Sequence, residues 1–286
     1  MTTRHRYNTP TKRRRRSSRS RRTLWLLAAC AIIIAAGMLM PDNCAASTDM
    51  PSQTVVDGDL QRVVTNPTLD EEMVNYTGMT ISFNPTLHIP NWVAYELTAD
   101  EATGDEPRTN RFATDPDVKG CASPDDYRNT GFDRGHMAPA ADMKWSPEAM
   151  RESFYMTNIA PQEHRLNSGA WSKLEGKCRE RARRDSAVII ITGPVNTDPV
   201  EMHIGATGVA VPSRFFKVIL SPYTNPPMAI GFIMPNGYVE GGMQAAAVSV
   251  DEVEAVTGHD FFSALPDEIE NEVEQQVNFN RWSRMK

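Results

Sequence analysis

The sequence predicts an α+β fold, a central and mostly antiparallel sheet with helices packed on it. Three observations carry this. "AVIIITGPV" (187–195) is a continuous apolar run of strand length, as in a strand buried on both faces. "RFFKVIL" and "MAIGFIM" add two further strands. "GAWSKLEGKCRERARR" places Trp171, Leu174 and Cys178 at helical spacing, giving a helix with one inner face.

In chain order, residues 1–22 hold ten Lys or Arg and no acid. The uncharged apolar run Leu24–Met40 follows, 17 residues long, which as a helix spans roughly 26 Å. A basic cluster before such a run stays cytoplasmic, so the chain after Pro41 is expected to cross the membrane. Three readings stand: a retained signal anchor embedded through residues 24–40, a signal peptide cleaved near "CAAS" with secretion of the rest, or an Arg-rich mitochondrial presequence. The first two put the domain in the cell envelope or outside the cell. Residues 1–22 are thus read as a basic tail, 23–41 as the targeting segment, 42–68 as a polar linker and 69–286 as one domain. An exported domain permits a disulfide, and Cys121 with Cys178 is the expected pair.

Within the domain, "WVAYEL" (Trp92–Leu97) reads as a strand, and the polar stretch 98–131 as a long loop of the kind that is often functional. "SPEAM" starts a short helix with Ser146 as N-cap and Pro147 in its first turn. Ser249 with Glu252 forms a capping signal for a late helix. Taking the ten leader cations from the thirty basic residues leaves 20 against 36 acids, net −16. A domain so acidic repels a polyanion at long range, which argues against a simple DNA-binding module.

"DRGHMAP" (133–139) places three ionisable side chains in four positions, and unpaired burial of each costs several kcal/mol. A second block, "NIAPQEHRLNSGAWSKLEGKCR" (158–179), puts Asn167 at a helix start and Glu175 and Arg179 four apart on one face. Phosphodiester hydrolysis calls for residues of these types. A neutral His takes a proton from water near pH 7, a hard cation such as Mg²⁺ offsets charge through oxygen ligands, and arginines clamp the nonbridging oxygens. The chain offers His136 as base, Asn167 as a neutral oxygen ligand, Glu175 to orient hydration water, and Arg134 and Arg179 as clamps. Plainer readings stand beside these. Asn167 also suits a helix cap, Glu175 and Arg179 also suit a surface ion pair, and Asp133 is expected to hold the turn or Arg134.

Together the two blocks resemble the DNA/RNA non-specific endonuclease family, whose hallmark is DRGH followed by N-[IV]-[TA]-P-Q…L-N-x-x-x-W-x-x-L-E. This chain matches both, in order, within a similarity that covers roughly residues 68 to 278. The resemblance implies a ββα-metal (His-Me finger) domain acting on DNA and RNA and leaving 5′-phosphate and 3′-hydroxyl ends. It implies His136 as general base and Asn167 as the protein ligand of a single Mg²⁺, for which Mn²⁺ can substitute. Asn158 and Glu175 then support the metal-water and histidine geometry, and Arg134 and Arg179 contact the phosphate. Arg108 is similar to a further phosphate-contacting Arg, with Arg111 as the other candidate. A homodimer is also compatible with the family. Two other functions remain open: a catalytically silent binding domain on this fold, and a phosphodiesterase for small substrates, which the −16 charge favours.

Overall fold

The protein is described here from a computed structural model, which covers residues 59–284. The basic tail, the apolar run, Cys30, Cys44 and the linker up to residue 58 lie outside the described residues. Among the described residues no helix is long and apolar enough to cross a membrane.

In chain order the strands are β1 (Glu72–Asn75), β2 (Thr80–Asn84), β3 (Ile89–Thr98), β4 (Phe132–His136), β5 (Ile159–Glu163), β6 (Ala187–Pro194), β7 (Arg214–Ser221), β8 (Met228–Pro235) and β9 (Ala247–Val248). Seven of them form one sheet in the order β9-β8-β7-β6-β3-β2-β1, every neighbouring pair antiparallel. β6 lies at its centre, with Ile191 opposite Ala94 on one side and Val218 on the other. The continuous apolar pattern has a direct cause. Successive side chains point to opposite faces, so Val188 and Ile190 enter one core while Ile189 and Ile191 enter another. In β7 the same alternation sends Phe215 and Ile219 to the first core, and Phe216, Val218 and Leu220 to the second.

The helices are α1 (Pro147–Glu152), α2 (Ser172–Asp185), α3 (Val250–Thr257), α4 (Asp267–Glu274) and α5 (Phe279–Ser283). Ser146 Oγ accepts from Ala149 N at the start of α1, and Ser249 accepts from Glu252 N at the start of α3, as the capping patterns predict. On one face of the sheet α2 buries Leu174 and Cys178 after a buried Trp171, while α3 and α4 bury Val250, Val253, Ile269 and Val273 on the other. β4 and β5 stand apart as an antiparallel hairpin, His136 opposite Ile159, with α2 next in sequence.

Three expectations are corrected. Residues 59–68 are not a free linker, because Val63–Val64 pair with Asp260–Phe261, Leu60 is buried and Trp92 Nε1 donates to Thr65 Oγ1 (2.8 Å). The predicted helix does not begin cleanly at Gly169. Leu166–Trp171 form a wider turn of π-helical pitch, broken at Gly169 (φ −102°, ψ −110°), before regular α2. Cys121 and Cys178 are both free thiols, Cys178 buried on α2 and Cys121 half-buried beside the Asp115 amide. A non-reducing digest after alkylation in denaturant should therefore yield Cys121 and Cys178 as separate alkylated peptides. Dithiothreitol should leave the unfolding midpoint unchanged, and a linked Cys121–Cys178 peptide would contradict the structure.

Candidate active site

The site is built on β4. Strand alternation puts Arg134 and His136 on one face and Asp133 and Gly135 on the other. Glycine is required at 135, since a Cβ there would meet Gln162 Oε1 of β5 at 2.2 Å. The chain after His136 is pinned by Asn158. Its amide accepts from Ala138 N (2.9 Å) and donates to the carbonyls of Ala138 (2.8 Å) and Ser153 (2.9 Å). Asn158 is thus a buried strut beneath the histidine.

His136 is buried, its ring 5.3 Å from Phe112 and 5.0 Å from Phe154, edge-on to the latter. Its Nε2 is buried with no hydrogen-bond partner among the described residues. Burial, helped by the positive charge of Arg108, pushes its pKa down to about 3, so the imidazole is neutral at physiological pH. The Arg108 guanidinium stacks on Phe154, 4.9 Å from the ring centroid. Arg111 makes no such contact, so the geometry selects Arg108 as the loop arginine near His136. Arg134 donates from Nη2 (2.8 Å) and Nε (3.3 Å) to the Pro124 carbonyl and lies over Phe112.

Two bonds tie this strand to the helical segment. Asp133 Oδ2 accepts from Asn167 Nδ2 (2.9 Å), and Trp171 Nε1 donates to the His136 carbonyl (3.4 Å). Asp133 also accepts from His164 Nδ1 (2.8 Å). It therefore holds Asn167 and His164, and not Arg134 as its position in the motif suggested. Asn167 caps nothing, because the wide turn carries it past the cap position. Its Nδ2 is committed to Asp133, and its carbonyl Oδ1 has no hydrogen bond among the described residues. An amide oxygen is a hard donor of the kind Mg²⁺ takes, and Glu175 on α2 is the carboxylate that the motif sets after it.

Glu175 is half-buried on α2, and burial raises its carboxyl to about 7. Asp142 adds to the rise, while Lys217, Arg179 and Arg108 oppose it. The plainer reading, a Glu175–Arg179 surface pair, has no ion pair among the described residues. Arg179 Nη1 instead bonds Asp142 Oδ1 (2.6 Å), and Tyr95 donates to the other oxygen (2.8 Å). Burial pushes the fully buried Asp142 carboxyl up despite Arg179, and it disfavours the Arg179 charge, which Asp142 more than restores. Lys217 is buried with Nζ 4.7 Å from the centre of the Trp171 ring and no hydrogen-bond partner.

The structure therefore gathers His136, Arg134 and Arg108 around Phe112 and Phe154, and joins Asn167 to them through Asp133. Sequence reasoning missed Asp142, Tyr95, Lys217 and the aromatic walls. Only one signal was visible, a lysine inside the apolar strand "RFFKVIL".

A ββα unit with a neutral histidine on its first strand, and an amide oxygen and a carboxylate on the segment that follows, has the residue types that metal-assisted hydrolysis uses. Comparison with known proteins agrees. A family model for DNA/RNA non-specific endonucleases matches residues 57–268. The mitochondrial nuclease EXOG of Mus musculus is 37% identical over 217 residues, covering 70% of this chain and 59% of the relative. Nuclease C1 of Cunninghamella echinulata is 34% identical over 217 residues, covering 70% and 86%. Mitochondrial endonuclease G of Homo sapiens is 33% identical over 193 residues, covering 62% and 65%. A crystal structure of the EndoG/EndoGI complex matches with TM-score 0.64 and 27% identity, covering 69% of this chain and 88% of that one. The chain belongs to the DNA/RNA non-specific endonuclease family. It spans about three fifths of the length of the EXOG relatives it matches.

The Asp142–Arg179 pair is a buried one, so removing one partner leaves the other uncompensated. Asp142→Ala should destabilise the protein by about 3 kcal/mol in urea unfolding. A midpoint unchanged from the wild type would mean that the pair does not hold α2 in place.

Proposed function

We propose that this protein is a metal-dependent endonuclease that hydrolyses phosphodiester bonds in DNA and RNA, leaving 5′-phosphate and 3′-hydroxyl ends. The observation that carries the reading is the double tie between the strand of His136 and the segment of Asn167. It joins the strand of a neutral histidine to the segment that carries Asn167, whose amide oxygen has no hydrogen bond among the described residues. The names of the relatives, all nucleases, support the same reading.

Each residue has a role in this proposal. His136, kept neutral by burial, accepts the proton of the attacking water. Arg108 and Arg134, beside its ring, contact the scissile phosphate. Arg179 supports the same charge from behind, held by Asp142. Asn167 and the hydration water oriented by Glu175 hold Mg²⁺, or Mn²⁺ in its place, which when bound supplies positive charge at the leaving oxygen. Asn158 fixes the backbone on which His136 sits.

We also infer that residues 1–40 direct the domain across a membrane, with 24–40 as its membrane contact. The relatives named as mitochondrial support the mitochondrial destination over the cell envelope. The family resemblance alone supports a homodimer.

With Mg²⁺ the full chain should nick supercoiled plasmid and degrade RNA, and EDTA should stop both. His136→Ala should lower the rate by about 10²–10⁴-fold, the usual range for a lost general base. Asn167→Ala should raise the Mg²⁺ concentration needed. Turnover of a small diester without plasmid loss would replace this reading with a small-substrate phosphodiesterase, and inactivity in every divalent metal would leave a silent binding domain.

The pH profile offers a separate check. Protonation of His136 near pH 3 is too acidic to limit the rate around neutrality, whereas Glu175 loses its proton near pH 7. Activity should rise with pH along an acid limb with its midpoint at or below about pH 7, and Glu175→Gln should remove that limb. A limb that persists unchanged in Glu175→Gln would assign it to another group.

A further inference from the structure

On the face of the sheet opposite α2, α3 and α4 bring three carboxylates together. Asp251 and Glu254 are three apart on α3 and so share a side of it. Glu274 is the last residue of α4. One oxygen from each lies within 4.8 Å of the others, and none of the three forms a salt bridge among the described residues. Asp260 and Glu270 add further negative charge. Surface acids often cluster without consequence, but Glu274 is not at the surface. It is 6% exposed, and its Oε1 is buried without any partner. Only the Oε1 of Glu254 is engaged, accepting from Phe261 N (2.8 Å).

Glu274 buries a carboxylate oxygen without a hydrogen-bond donor among the described residues, and its carboxylate lies close to two more, a combination that calls for a positive charge. One oxygen from each carboxylate falls within 4.8 Å of the others, close enough to share one ion. Three protein carboxylates suit Ca²⁺ better than Mg²⁺, which is usually held through one or two. Asp251 is exposed, so water has access to complete the six to eight ligands that Ca²⁺ takes.

We propose that Asp251, Glu254 and Glu274 form a Ca²⁺ site, separate from the active site, that clips α4 to α3.

The test uses the purified full chain in mild detergent, stripped with EDTA and then titrated with CaCl₂ at neutral pH. Thermal unfolding and titration calorimetry are recorded for the wild type, Glu274→Gln, Asp251→Asn and Asn167→Ala. At a hundredfold excess over Kd, Ca²⁺ should raise the wild-type Tm by about 5 °C or more. Glu274→Gln should lose this shift. Asp251→Asn, altered only at an exposed position, should fold normally and show a reduced shift. Asn167→Ala should keep it, which separates this site from the proposed catalytic one. A wild-type Tm that millimolar Ca²⁺ does not move would overturn the proposal, as would a full shift retained in both carboxylate variants.

Discussion

The active site rests on one carboxylate. Asp133 takes two hydrogen bonds on a single oxygen, from Asn167 and from His164, and so joins the hairpin to the wide turn that leads into α2. Neither partner could be placed by secondary structure alone. Asn167 lies where the backbone departs from regular helix, in a segment with no side-chain cap. The bond to Asp133 engages its nitrogen and leaves its oxygen without a hydrogen bond among the described residues, as the proposed metal ligand requires. A hydrogen bond to a charged acceptor is worth about 1.5–3 kcal/mol, enough to settle the orientation of one amide. The Trp171–His136 bond then fixes the other end of the strand, and Gly135 allows β5 to approach.

Behind that frame lies an electrostatic compromise. Asp142, Glu175, Arg179 and Lys217 are close enough that each alters the ionisation of the others. Burial disfavours every one of these charges, and their mutual attraction restores part of the loss. Arg179 and Asp142 meet directly and are secured as a pair. Lys217 has only the Trp171 face and the field of the acids, and burial depresses its pKa. Glu175 is left intermediate, near 7, so a small added positive charge is enough to ionise it.

Much of the fold and the motif core could be read from sequence because both rest on local periodicity. The run at 187–194 could be buried on two faces only as a central strand, and Trp171, Leu174 and Cys178 could face inward only together. His136, Asn167 and Glu175 stood out as candidates because they fall in the two motif blocks that resemble the family. What could not be read depends on distance along the chain. Asp142 meets Arg179 across 37 residues, and Asn66, in the expected linker, bonds the Thr257 carbonyl and His259 across more than 190. The cysteine pairing failed for a related reason. An expected oxidising compartment says nothing about approach, and Cys178 is buried on α2 in the core. The side of β7 that carries Lys217 also became known only with the register of β6 and β7.

The net charge of −16 on residues 23–286 argued against a polyanionic substrate, and the structure shows why that argument has limited force. At physiological ionic strength the Debye length is about 8 Å, so exposed acids on distant surfaces are largely screened from a phosphate at His136. The carboxylates of α3 and α4 lie on the opposite face of the sheet from α2. Near the histidine the balance is different. Arg108 and Arg134 flank the aromatic walls, and Arg179 and Lys217 sit close enough to Glu175 to act on its charge. These nearby cations interact across a partly desolvated site, where screening is weaker and each charge counts for more. Net charge affects how fast such a substrate arrives and how strongly arrival depends on salt. In the proposed reaction, what happens to the phosphate on arrival depends on the few charged side chains nearest His136, and not on the net charge of the domain.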